Sequence, residues 1–159
     1  MRRLRLAAVV ALGVASAACA SLPGSAGDIE AEARDFMAGY ARDLLEGNRA
    51  AIADRYDRRG AYMAGGGRQR LAPPDSIRAQ YLSASWSAPA GFEWRDLSYE
   101  IVGPGAVLVS GRFEWRTPAG RTLPASYTAL LVRRDGRLRI RAEHEDVAPS
   151  ALREQLCAR

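Results

Sequence analysis

The chain has 159 residues, enough for one domain with a real core and too few for two. All 23 basic residues are arginine, and the lack of lysine excludes a Walker A loop, a kinase-type lysine and Schiff-base chemistry. One histidine and two cysteines exclude a Cys/His zinc centre.

Residues 1–20 have the layout of a bacterial export signal: Arg2, Arg3 and Arg5, then an apolar run from Leu6 to about Val14, then small residues around Cys19. That run is too short to span a bilayer. Ser16-Ala17-Ala18-Cys19 resembles a lipoprotein box, with Ser16 where leucine is usual; ordinary cuts after Ala17 or after Ala20 fit as well. The protein is therefore expected outside the cytoplasm, periplasmic or lipid-anchored through Cys19, its only expected link to a membrane. Cys157 could pair with Cys19 only after a cut at Ala17. Loss of the leader removes three arginines from the formal charge of +5, while all 18 acidic residues lie at or beyond Asp28. The remaining excess of two positive charges is no footprint for nucleic acid.

Residues 21–27 are small and read as a flexible tether. Asp28 is placed to cap a helix whose apolar residues Ile29, Ala33, Phe36, Met37, Tyr40, Ala41, Leu44 and Leu45 recur at three- and four-residue steps. Gly47 closes it, Asn48 can cap a second helix through Ile52 and Tyr56, and Gly60 ends that one. "AYM" reads as a short strand, and Gly65 to Gly67 as a flexible loop with little weight as a phosphate cradle. In "APPDSIRAQYLSASW" the prolines set a turn, Asp75 caps a third helix, and Ile77, Tyr81 and Trp86 fall on one side.

After Pro89 the pattern changes to period-two segments rich in Val, Tyr, Phe and Trp, broken at Gly103 to Gly105, Thr117 to Gly120, and Asp135-Gly136. That predicts four antiparallel strands, hence an α+β domain over residues 28–148 with its N-terminal helices on one face of a curved four-stranded sheet. Residues 149–159 form a short tail.

The two-residue turn at Asp135-Gly136 sets a register. Leu131 then faces Ile140, Ala129 faces Ala142, Tyr127 faces His144 and Ala125 faces Asp146. His144, Asp146 and Tyr127 would share the helix-packed face where its apolar filling stops, as in the mouth of a pocket. The plainer reading of the same residues is a polar group satisfied at the core's edge. Carried through a four-residue loop at Thr117 to Gly120, the register adds Ser110, Arg112, Glu114, Leu97, Tyr99 and Ile101 to that face. It turns Val107, Val109, Phe113 and Trp115 outward, an apolar stripe that a second copy of the sheet would cover; a one-residue bulge, which Pro124 invites, would swap these faces.

Three helices followed by this meander, with "YARDLLEGNRAAIADRYDRRGAYMAGGG" leading in and "GRFEW…YTALLVRRDGRLRIRAEHED" closing, resemble the SnoaL-like members of the nuclear-transport-factor-2-like superfamily, which includes ketosteroid isomerase. In the last hairpin His144 matches a histidine common in such proteins, and Asp146 replaces the more usual serine. The resemblance implies a cone-shaped cavity between helices and sheet and, commonly, a homodimer through the sheets. It does not choose a chemistry, because members include isomerases, cyclases, dehydratases and noncatalytic modules.

Two functions follow. One is an exported domain that binds a small apolar or amphipathic ligand, without cofactor or metal, with Tyr40, Tyr62, Tyr81, Trp86, Tyr99 and Arg112 lining its cavity. The alternative is a cavity enzyme of isomerase, dehydratase or hydrolase type. It would use His144 as general acid or base, Asp146 or Tyr127 to set its tautomer, and Arg112 or Tyr99 to stabilise negative charge.

Overall fold

The computed structural model describes residues 26–148. The leader, Cys19, the tether as far as residue 25, and the tail with Cys157 lie outside the described residues.

Helix α1 (Ala26–Glu46) starts two residues before Asp28, which falls in its first turn. It buries Ile29, Ala33, Met37, Tyr40 and Leu44, the stripe its periodicity predicts. Burying each large apolar side chain is worth roughly 2 kcal/mol. Gly47 ends the helix at φ 67°, a left-handed value that glycine adopts without steric cost. The Asn48 carbonyl then accepts the Ile52 amide at 3.0 Å and opens α2 (Arg49–Asp54), to which the Asn48 side chain gives no capping bond.

The sheet has six strands: β1 (Ala61–Gly65), β2 (Arg68–Ala72), β3 (Gly91–Gly103), β4 (Ala106–Arg116), β5 (Thr122–Arg134) and β6 (Arg137–Val147). Their spatial order is β2-β1-β6-β5-β4-β3. All neighbours are antiparallel except β1 and β6, which run parallel. The four antiparallel strands expected from the sequence are thus the larger part of a mixed sheet. Gly66 and Gly67, at φ 55° and 74°, make a two-residue hairpin turn where a flexible loop was expected. The strand after it carries no period-two signature, because Arg68 to Leu71 lie exposed on the sheet edge with no alternation to mark them. Helix α3 (Pro74–Leu82) has Pro73 at its N-cap position, so Asp75 lies in the first turn instead of capping it.

Helix α1 packs on one face of the sheet, anchored where the Trp94 indole donates to the Met37 carbonyl at 2.9 Å. Two single-residue shifts decide what that face carries. The loop between β4 and β5 has five residues, not four, because Arg116 pairs with Thr122. This reverses β4: Val107, Val109 and Phe113 are buried in the core and Trp115 packs against it, while Arg112 is exposed on the outer face. The apolar outer stripe that called for a covering sheet is therefore absent. The Asp135-Gly136 turn forms as expected, with φ 50° and 74°, and Leu131 pairs with Ile140. The next pair is Leu130 with Ala142, which leaves Arg141 as a β-bulge. Beyond it Ala129 faces Glu143, Tyr127 faces Glu145 and Thr128 faces His144. His144 and Asp146 are thereby turned to the outer face, and Glu143 and Glu145 take their place against the helices.

Candidate functional site

The inward turn of β6 brings Glu143 under tyrosines directed at the sheet by α1 (Tyr40), by the segment after α2 (Tyr56) and by α3 (Tyr81). Glu143 is 5% exposed. The Tyr56 hydroxyl donates to Glu143 Oε2 at 2.5 Å, and the Tyr40 hydroxyl reaches Oε1 at 3.5 Å. Each phenol has one proton to give. With that of Tyr56 committed to the carboxylate, Tyr81 is the donor in the 2.7 Å contact between their hydroxyls. Tyr40 stands 3.2 Å from the Tyr56 hydroxyl and 3.4 Å from that of Tyr81. Tyr127, from β5, is 1% exposed, and its hydroxyl has no partner in hydrogen-bond geometry among the described residues.

Burial is the first cause that raises the Glu143 carboxyl above its usual range; the hydroxyls of Tyr56 and Tyr40 oppose it. The same burial, and then the negative charge of Glu143, push the phenols of Tyr40, Tyr56, Tyr81 and Tyr127 well up, so they serve as neutral donors. Glu145 follows two residues later on the same face. Its surface is exposed, yet it sits in a concavity where crowding by protein atoms, and then the charge of Glu143, push its carboxyl up to about 8. Water at its open side damps that shift.

Glu145 borders a cleft of about 400 Å³ between the β1–β2 hairpin and α3, lined also by Met63, Gly65, Arg68, Arg70 and Gln80. Arg70 donates to Gln80 Oε1 at 3.2 Å. Gly65 lets β1 approach: a Cβ there would lie 2.4 Å from the Glu145 carbonyl oxygen.

The residues singled out from the sequence divide between this site and the rest of the surface. Tyr40, Tyr81 and Tyr127 belong to the buried cluster. Trp86 lies beyond α3 with its ring 6.0 Å from that of Tyr81. Tyr99 packs against the core, with the Arg34 guanidinium 4.4 Å above its ring. Tyr62 is exposed on the outer face beside Arg141, and Arg112 is bonded to Asp96. His144 Nε2 meets Asp146 Oδ2 at 2.8 Å, both side chains about half exposed. Asp146 also accepts the Gly66 amide at 2.9 Å. His144 and Asp146 are therefore separated from Tyr127 by the thickness of the sheet. Tyr56, Glu143, Glu145, Arg68 and Arg70 were not anticipated. Among the described residues no group of three or more His, Cys, Asp or Glu is placed to hold a metal ion.

No family model matches the sequence, and no curated protein is similar to it. Solved structures are. An NTF-2-like protein of unknown function from Shewanella oneidensis superposes with a TM-score of 0.65 at 16% identity, over 74% of this chain and 98% of that one. The fold is that of the nuclear-transport-factor-2-like superfamily. A putative ketosteroid isomerase from Parabacteroides distasonis (TM-score 0.62, 9% identity, 74% of this chain and 86% of that one) shares it. So does a putative scytalone dehydratase from Novosphingobium aromaticivorans (0.61, 11%, 77% and 88%). At such identities the likeness is one of architecture, and members of the nuclear-transport-factor-2-like fold differ in what they do.

Proposed function

We propose that this is an exported domain that binds a small amphipathic molecule in the cleft at Glu145. The observation that carries the proposal is the paired inward placement of Glu143, sealed beneath tyrosines, and Glu145, open to the cleft. A carboxyl that keeps its proton near neutrality donates a hydrogen bond, and Arg68 and Arg70 add positive charge beside it. The ligand is therefore a molecule with a carbonyl or anionic head and an apolar body that rests on Met63.

The test is a fluorescence titration with anilinonaphthalene sulfonate, an amphipathic anion. Saturable binding is expected, weakened at least tenfold by Arg68→Glu with Arg70→Glu and abolished by Gln80→Trp, which fills the cleft. Binding that ignores both changes would refute the assignment.

A second reading is favoured by the raised carboxyls: a proton-transfer enzyme in which Glu145 is the acid or base. The putative isomerase and dehydratase among the similar structures make it worth a direct assay. His144 lies outside both readings. A homodimer through the outer sheet face stays a proposal, and that face is polar, with Ser98, Ser110, Thr128 and His144 in one row across four strands.

A further inference from the structure

A second pocket, bordered by Tyr56, lies where the end of α2, the start of α3 and the start of β6 meet. It measures about 220 Å³, and four of the residues around it are Arg58, Arg78, Arg137 and Arg139. Three carboxylates also line it, and two are committed. Asp54 accepts from Arg78 at 3.2 Å. Asp57, 1% exposed, accepts the Arg59 amide at 2.9 Å and faces Arg134 at 3.4 Å. Only Asp75 is left against Arg58, Arg137 and Arg139, which make no ion pair with any described residue.

The neighbouring cleft does not neutralise them either. Arg137 and Arg139 border it too, but of its acids Glu32 is taken by Arg133, Asp43 by Arg55 and Asp54 by Arg78, which leaves Asp35. Three guanidinium groups gathered in a small polar recess repel one another, and each offers a planar fork that matches an oxyanion.

We propose that this pocket is a binding site for a doubly charged oxyanion, a phosphate group either free or carried on a small molecule. The volume suits a tetrahedral headgroup and excludes a drug-sized ligand. The site is separate from the Glu145 cleft, so the two assignments stand or fall independently.

Calorimetric titration of the purified chain with inorganic phosphate at low chloride tests it. Saturable heat with one site per chain is expected, weakened at least tenfold by Arg137→Gln with Arg139→Gln and also weakened by Arg58→Gln, whose exposed position leaves the fold intact. Glu145→Gln should leave it unchanged, and sulfate should compete. Heat that does not saturate, that is equal in the arginine variants, or that chloride reproduces at the same concentration would overturn the site.

Discussion

Glu143 stands directly opposite Ala129, the place an unbroken hairpin would give to Ala142. The difference is Arg141, the one residue of β6 without a partner on β5. Deleting Arg141 would restore the simple register and exchange the two faces of β6 beyond it. His144 and Asp146 would then enter the core, and Glu143 would leave its tyrosines without an acceptor. A loss of more than about 4 kcal/mol is expected, at the exceptional end for a single change. Urea denaturation measures it; a deletion variant as stable as the parent would show that the bulge does not hold the site together.

The Glu143 carboxylate accepts the hydroxyls of Tyr56 and Tyr40, which come from separate segments, so its removal should cost more than one hydrogen bond. Glu143→Ala leaves Tyr56 and Tyr40 with buried, unaccepted protons, and a loss of about 2 to 5 kcal/mol is expected. Glu143→Gln keeps an acceptor at the Tyr56 contact and should cost less than half as much. Equal losses for the two variants in the same denaturation assay would mean that shape, not hydrogen bonding, fixes the residue.

The helices, their buried stripe and the last four strands were legible because periodicity and turn chemistry report them directly: Gly47 stops α1, and Asp135-Gly136 turns β5 into β6. The face assignments were not, because a face depends on counting residues and both errors were of one residue. No glycine marks the bulge at Arg141, and a five-residue loop at 117–121 looks like a four-residue one until Thr122 is seen to pair. One signal was present. The simple register put Val107, Val109, Phe113 and Trp115 in solvent, and a one-residue shift is an alternative to inventing a partner for such a stripe. Tyr56 and Glu143 lie 87 residues apart, so only the tertiary fold reveals them as a pair.

At Gly65, just past its last pair with β6, β1 leaves no room for a side chain. A Cβ there would meet a backbone oxygen, that of Glu145, at 2.4 Å, which no side-chain rotation relieves. Gly65→Ala should push the β1–β2 hairpin off β6, cost about 1 to 3 kcal/mol, and weaken ligand binding in the cleft. Faster hydrogen exchange confined to residues 61–72 is the expected signature. Uniform exchange throughout the domain would count against a local role for this contact.

The raised carboxyls make stability depend on pH in a defined direction. In the unfolded chain Glu145 has the ordinary value of 4.5, and in the fold about 8. Between those values the folded state holds a proton that the unfolded state has released, so stability is greatest below the lower value and falls as pH rises through the higher one. Glu143, also raised, adds to the same slope, and the two titrate as a pair. Calorimetric Tm should therefore decline from about pH 4.5 to pH 8, and Glu145→Gln should flatten that decline. A Tm that rises over this window in the parent would contradict the raised carboxyls of this pair.

The same pair allows a direct test of proton transfer without knowledge of a natural substrate. Ring opening of a nitrobenzisoxazole begins with abstraction of a proton from carbon by a base, and a carboxylate in a poorly hydrated cleft is suited to it. Only the ionised form of Glu145 can take that proton, so the rate should climb with pH and level off once Glu145 is ionised, at or below about 8. General-base catalysis contributes about a hundredfold or more, and Glu145→Gln should remove that much while His144→Ala leaves the rate unchanged. Tyr56→Phe withdraws the hydrogen bond that favours the ionised form of Glu143. Glu143 should then ionise less readily and weigh less on its neighbour, which moves the midpoint of the pH profile downward. A rate that follows hydroxide concentration alone, equally in parent and Glu145→Gln, would leave ligand binding as the reading of this cleft.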